Sequence, residues 1–181
     1  MGETVWSVGP TDGELRIRTG VAGPAAKMGH RLTIAMQSWE ATASWRGSTP
    51  TRAALTVDVD SLEVLKGSGG VTPLTPPERL LARANACKSL DAKKYPRITF
   101  TADDISRTPL GYRLAGTLEI HGTSRPQTVE LTLEDRGTEW AMSAEVEVVQ
   151  SDFGVKPYSL MMGTLKVADA VTVSLRARHP K

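Results

Sequence analysis

The amino-acid sequence predicts an all-β fold: an antiparallel sheet of about eight strands, with one apolar face that must be hidden by closing into a barrel or by pairing with a second sheet. Three observations carry this. Apolar and polar side chains alternate with period two in segment after segment. Turn residues punctuate those segments. Only one stretch departs from the alternation to show helical spacing.

The segments come in order. Leu15, Ile17 and Thr19 oppose Arg16 and Arg18; after Gly29, Leu32, Ile34 and Met36 oppose Arg31, Thr33 and Ala35. A turn near Ser38 separates this run from Trp39, Ala41, Ala43 and Trp45, which oppose Glu40, Thr42, Ser44 and Arg46. Leu55, Val57 and Val59 then face away from Thr56, Asp58 and Asp60. Ile98, Phe100 and Ala102 oppose Thr99 and Thr101, and Tyr112, Leu114, Gly116, Leu118 and Ile120 oppose Arg113, Ala115, Thr117 and Glu119. Val129, Leu131 and Leu133 alternate with Glu130, Thr132 and Glu134; Trp140, Met142, Ala144, Val146 and Val148 alternate with Ser143, Glu145 and Glu147. Leu165 and Val167, then Val171, Val173, Leu175 and Ala177, complete the set. Between the last two groups, Gln150 to Gly163 (QSDFGVKPYSLMMG) reads as a shaped corner joining two strands.

The exception lies in a long excursion from Ser61 to Pro96. Thr75-Pro76-Pro77-Glu78 is a helix N-cap with proline in the first turn and a carboxylate at the capping-box position. Leu80, Leu81, Ala84, Cys87 and Leu90 follow at helical spacing, which predicts one helix over 76–90. Such a helix either covers one mouth of a barrel or packs on its wall. The preceding Gly67-Ser68-Gly69-Gly70 lacks the lysine and the strand-to-helix context of a phosphate loop and reads as a flexible connection.

Composition bounds the function. The chain has 181 residues, 40% hydrophobic and 23% charged, which suits a single folded domain spanning 1–181. A net charge of +2 with scattered Lys and Arg argues against nucleic acid as a partner. No run approaches the roughly 18 apolar residues of a spanning helix, so no membrane span is expected. The printed start, MGETVWSVGP, shows neither a basic n-region nor an apolar h-region, so the expected location is cytoplasmic. The single Cys87 cannot form an internal disulfide and reads as a small apolar residue. His30, His121 and His179 have no metal-ligand spacing, Asp103-Asp104 reads as a turn cap, and no nucleophile sits beside a base. No metal, cofactor or catalysis is therefore expected; a histidine-centred reaction, with His30 as its candidate, is the enzymatic alternative.

Taken in order, Trp6, Val57-Asp58-Val59-Asp60-Ser61-Leu62, Tyr95-Pro96-x-Ile98-x-Phe100, Gly116-x-Leu118-x-Ile120-x-Gly122-x-x-x-Pro126 and Ser151-Asp152-Phe153-Gly154 make the chain resemble the YceI-like lipid- and polyisoprenoid-binding family over nearly its full length. The resemblance implies a lipocalin-like antiparallel barrel whose elongated apolar cavity takes an isoprenoid or similar long-chain amphiphile. The chain departs from the family pattern at Arg79 to Lys94, where family members carry a histidine and leucine run and a phenylalanine-rich turn. It also departs in lacking, as printed, the export signal common in the family.

Strand parity then gives a candidate ligand-binding set. Ile17, Leu32, Ile34, Met36, Leu55, Val57, Phe100, Leu114, Leu118, Leu131, Trp140, Met142, Val146 and Leu165 point inward. A phosphate or quinone oxygen would be met by Arg31 or Lys156, with His30 nearby. Tyr158 caps the ligand or ties down the corner, and Met161 and Met162 suit an adaptable mouth. The interior is either open for such a ligand or filled by side chains, in which case the chain is a partner-binding or structural module. Homodimerisation through a sheet edge or wall is compatible with ligand binding.

Overall fold

The computed structural model describes residues 2–181. It is built of antiparallel strands and one helix, in the chain order β1 (Glu3–Val8), β2 (Gly13–Arg18), β3 (Val21–Ala22), β4 (His30–Met36), β5 (Trp39–Arg46), β6 (Thr49–Asp58), β7 (Leu62–Gly69), α1 (Pro76–Ser89), β8 (Arg97–Thr108), β9 (Gly111–Ile120), β10 (Thr123–Asp135), β11 (Glu139–Val149), β12 (Ser159–Leu160), β13 (Leu165–Val167) and β14 (Ala170–Pro180). The strands number fourteen rather than about eight. Two causes account for the difference. The short strands β3 and β12 span too few residues for alternation to show. In addition, β1 and β7 were not among the alternating segments: the hairpin of residues 30–69 is kinked at Gln37-Ser38, where a turn was expected, and again at Val59–Ser61, beyond which β7 begins.

Eleven strands form one sheet in the order β1-β5-β6-β8-β9-β10-β11-β14-β2-β4-β7, curled into a half-barrel; β12, β13 and β3 form a second, three-stranded sheet. The kinked hairpin produces the curl. Its β5–β6 half pairs outward to β1 and β8, whereas its β4 arm pairs with β2 beyond the kink. Register shifts at Thr33/Ile34, Ser44/Trp45 and Ala102/Asp104 add local bends. The last of these places Asp103-Asp104 inside β8, at a bulge, and not at a turn as their adjacency suggested.

The core lines the concave face in two clusters. Val8, Leu15, Ile34, Met36, Trp39, Val57, Leu62 and Val64 form one; Phe100, Ala102, Tyr112, Leu114, Leu118, Val148, Phe153 and Val155 form the other. Helix α1 begins with the capping box read from sequence, Thr75 Oγ1 accepting the Glu78 N–H at 3.4 Å while Glu78 Oε1 accepts the Thr75 N–H at 3.4 Å. Its inward face is the marked one only in part: Cys87 and Leu90 pack as their spacing predicted and Leu81 lines the cavity, but Leu80 and Ala84 do not. Ala82, Ala86, Cys87 and the C-cap Leu90 pack on the first cluster, while Leu80 and Ala84 are exposed. Small side chains let the helix lie close against β7. The glycine run also differs from a flexible connection. Gly67 and Gly69 belong to β7 and pair with Leu32 and His30, and a Cβ on Gly67 would sit 2.9 Å from Leu74 and 3.1 Å from His30.

Candidate functional site: an apolar cavity with one open rim

The concave face is not filled. It encloses a cavity of about 750 Å³, within the range of small-ligand sites. Fifteen of the twenty residues selected by strand parity and corner chemistry line it. Ile17, Leu32, Ile34 and Met36 come from β2 and β4; Leu55, Val57, Phe100, Leu114 and Leu118 from β6, β8 and β9; Leu131, Met142 and Val146 from β10 and β11. His30, Tyr158 and Leu165 contribute from the rim.

The other five lie off the lining. Arg31 is exposed on the outer face of β4, because the neighbours His30 and Leu32 take the inner one. Lys156 is exposed in the corner. Trp140 is drawn into an aromatic stack at the hairpin end, its ring 6.3 Å from that of Trp6 and under the Lys181 ammonium at 4.6 Å. Met161 and Met162 stand outside the cavity on a tight turn, both at positive φ (52° and 57°).

Sequence reading missed the helix's contribution. Leu81, Ala82, Asn85, Ala86 and Ser89 of α1 line the cavity, and the available signal was the small-residue face of the helix. Polar liners are few: Thr19, Thr42, Thr72, Gln127, Gln150 and Lys166 among them. Gln150 is already committed, its Nε2 donating to the Ala168 carbonyl at 3.0 Å.

The two ends of the cavity differ in construction. At the hairpin end, Trp6 from β1 lies 4.8 Å from Trp45, and it stacks on His179 at 4.5 Å with the planes 8° apart. Tyr112 meets Trp45 edge-on at 5.9 Å. At the opposite end, Met28, Val71, Leu81 and Leu160 both line the cavity and reach solvent, which marks the opening. The rim is tied together by backbone bonds: Val167 pairs with Val21, Leu165 with Leu160, and the Ala25 N–H donates to the Thr164 carbonyl at 2.8 Å. His30 joins the 70–74 loop to this rim, its Nε2 lying 2.6 Å from the Thr72 carbonyl oxygen.

Corner chemistry supports this arrangement. Gly154 ends the Gln150–Phe153 turn in the left-handed conformation, φ 71°, and this turns buried Phe153 and Val155 inward. Ser151 Oγ donates to Asp169 at 2.5 Å, while the Ser151 N–H donates to the same carboxylate at 2.8 Å, fixing the corner to the start of β14.

A curled antiparallel sheet around a cavity lined mainly by apolar side chains places the molecule among the β proteins whose concave sheet face is left open and not filled by side chains. The chain belongs to the YceI-like family, whose domain model matches residues 6–178. Its fold is similar to the crystal structure of Burkholderia cenocepacia BcnA, with a TM-score of 0.69 at 20% identity, covering 92% of this chain and 96% of that one. It is also similar to the Campylobacter jejuni YceI protein, with a TM-score of 0.60 at 15% identity, covering 82% of this chain and 84% of that one. A comparison with curated protein sequences finds no match. Among the described residues, no helix is long and apolar enough to cross a membrane.

Proposed function

We propose that the protein binds a long-chain apolar amphiphile, of isoprenoid, quinone or fatty-chain type, inside the cavity and sequesters or carries it without chemical change. The observation that carries this reading is the cavity of about 750 Å³, walled by aliphatic side chains and open at one rim. A chain burying ~400 Å² there would gain roughly 10 kcal/mol from desolvation alone, before the cost of association is subtracted. Few polar contacts are then needed. The head group sits at the rim beside Tyr158, His30 and Lys166, which line the opening, and not beside Arg31 or Lys156, which face away.

Binding without catalysis is supported by the placement of the histidines. His30 is bonded to Thr72, His121 packs on the Tyr95 ring at 4.7 Å, and His179 stacks on Trp6. Each has a structural partner, and the three lie on separate elements.

Native mass spectrometry of the purified protein, followed by solvent extraction, tests the proposal. The expected result is a released lipid of isoprenoid or fatty-chain mass, or a mass shift on adding a polyprenyl phosphate or a quinone. The shift should disappear in Val146→Trp, which fills the lumen from β11. An unshifted mass with every added lipid would overturn the reading.

A further inference from the structure

We propose that the rim of the cavity is a docking surface for an anionic lipid bilayer, through which the guest enters and leaves. This inference rests on the lipid-cavity reading above. Two independent distributions carry it.

The first is apolar. Nine large hydrophobic side chains are exposed among the described residues, and seven of them lie on the segments that frame the opening. Met28, Val71, Leu81 and Leu160 line the mouth itself. Leu80 extends the patch along α1, and Met161 and Met162 project beyond it, Met162 being fully exposed. Both methionines hold left-handed backbone conformations, φ 52° and 57°, which are unfavourable for side chains other than glycine. A turn that presents two adjacent methionines to water on a strained backbone does nothing for the stability of the isolated chain. It does suit insertion into an apolar phase.

The second is charge. Residues 20–31, 70–81 and 155–167, the three segments at the rim, contain Lys27, Arg31, Arg79, Lys156 and Lys166 against one acid, Glu78. That local balance of +4 sits on a chain of net +2. Glu78 is engaged in the capping box of α1. None of the five cations takes part in the ion pairs among the described residues; those pairs use Arg16, Arg18, Arg52, Arg97, Arg113, Arg136, Arg178 and Lys181. Unpaired cations around an apolar patch match the anionic headgroups and hydrocarbon of a bilayer surface.

The test is flotation of the protein with vesicles of phosphatidylcholine and phosphatidylglycerol, compared with vesicles of phosphatidylcholine alone, at low and high salt. Binding is expected only to the anionic vesicles and is expected to fall with salt. Lys27→Glu/Lys156→Glu, at two exposed cations that do not line the cavity, should weaken it by at least about fivefold per cation removed. Met161→Asp/Met162→Asp should abolish it. In the same variants, uptake of a polyprenyl phosphate from detergent-free solution, read by native mass spectrometry, should remain unchanged, which separates failure of docking from failure of the cavity reading. Absence of flotation by a wild-type protein that still takes up the lipid would overturn the proposal. So would equal flotation of both variants, or a light-scattering mass showing a dimer that the methionine substitutions dissolve, since a second copy would then occupy this face.

Discussion

The hairpin end of the cavity and its rim are built from the same sheet by opposite means. At the hairpin end, four aromatic or imidazole rings, Trp6, Trp45, Trp140 and His179, interlock within 6.3 Å of one another along the chain of contacts. The charges around them are paired: Lys181 with Asp135 at 2.5 Å, Arg178 with Glu139 at 3.2 Å, Arg136 with Glu134 at 3.2 Å. At the rim the large apolar residues face solvent, the cations have no carboxylate partner, and two residues hold strained backbone angles. Stability is invested at one end and left out at the other, as expected where a guest must pass.

The largest expected effect breaks the closed end. Trp6→Ala removes the ring that touches Trp45, Trp140 and His179 together, and should cost about 3 kcal/mol in a urea unfolding experiment. A loss below about 1 kcal/mol would mean that the stack is incidental.

A matched pair of glycine substitutions sharpens the contrast. In Gly13→Ala the new Cβ would lie 2.0 Å from the Arg176 carbonyl oxygen and 2.5 Å from Ala177 Cα, both backbone atoms of paired β14. In Gly29→Ala the nearest atoms are side-chain tips, Leu165 Cδ1 and Val21 Cγ1 at 2.7 Å, which can rotate aside. The expected costs are about 3 kcal/mol for the first and about 1 kcal/mol for the second. Equal costs would show that the rim is as rigid as the hairpin end.

Much of this architecture was legible because a half-buried strand writes its orientation into alternate residues. Leu114 and Leu118, or Ile17 and Ile34, are inward for the reason that their neighbours Arg113, Glu119, Arg16 and Arg18 are charged. Parity failed where orientation is set by something other than the pleat. Trp140 has inward parity, but it lies beside the β10–β11 hairpin and is claimed by Trp6, a residue 134 positions earlier; no local pattern encodes that. The face of α1 was misjudged at Leu80 and Ala84, though not at Cys87 and Leu90, because leucine spacing suggests burial, whereas close packing on β7 selects Ala82 and Ala86 and leaves Leu80 outside. The count of strands was too low because β3 and β12 are too short to alternate, and because β1 and the β7 run beyond the Val59–Ser61 kink were not read as strands.

A smaller effect, of opposite sign, is expected at the rim. Met162 is fully exposed at φ 57°, so Met162→Gly relieves the left-handed penalty of roughly 1 kcal/mol while adding some freedom to the unfolded chain. The net expectation is a stabilisation of about 0.5 kcal/mol, measured by thermal and urea unfolding. A destabilised variant would show that the methionine packs against something and is not held in reserve for a partner.

The smallest effect concerns the charge that closes the hairpin end. The carboxyl of Asp135 is held below the usual carboxylate range, first by its hydrogen bond from the Lys181 ammonium and then by the Gly137 N–H at 2.9 Å. A carboxylate depressed on folding contributes stability that is present above its unfolded pKa, near 4, and lost as pH falls through the lower folded value. Because the group is open to solvent, screening keeps this contribution small. It is nonetheless diagnostic, since the Lys181 ammonium also lies over Trp140 and so links the ion pair to the ring stack. Asp135→Asn should therefore lie slightly below wild type in urea unfolding at neutral pH, with the two curves converging as pH is lowered below the carboxylate range. Added salt should narrow the gap at neutral pH. A gap that persists in acid would assign the loss to the Gly137 turn and not to the charge, and the closed end would then owe its stability to its rings alone.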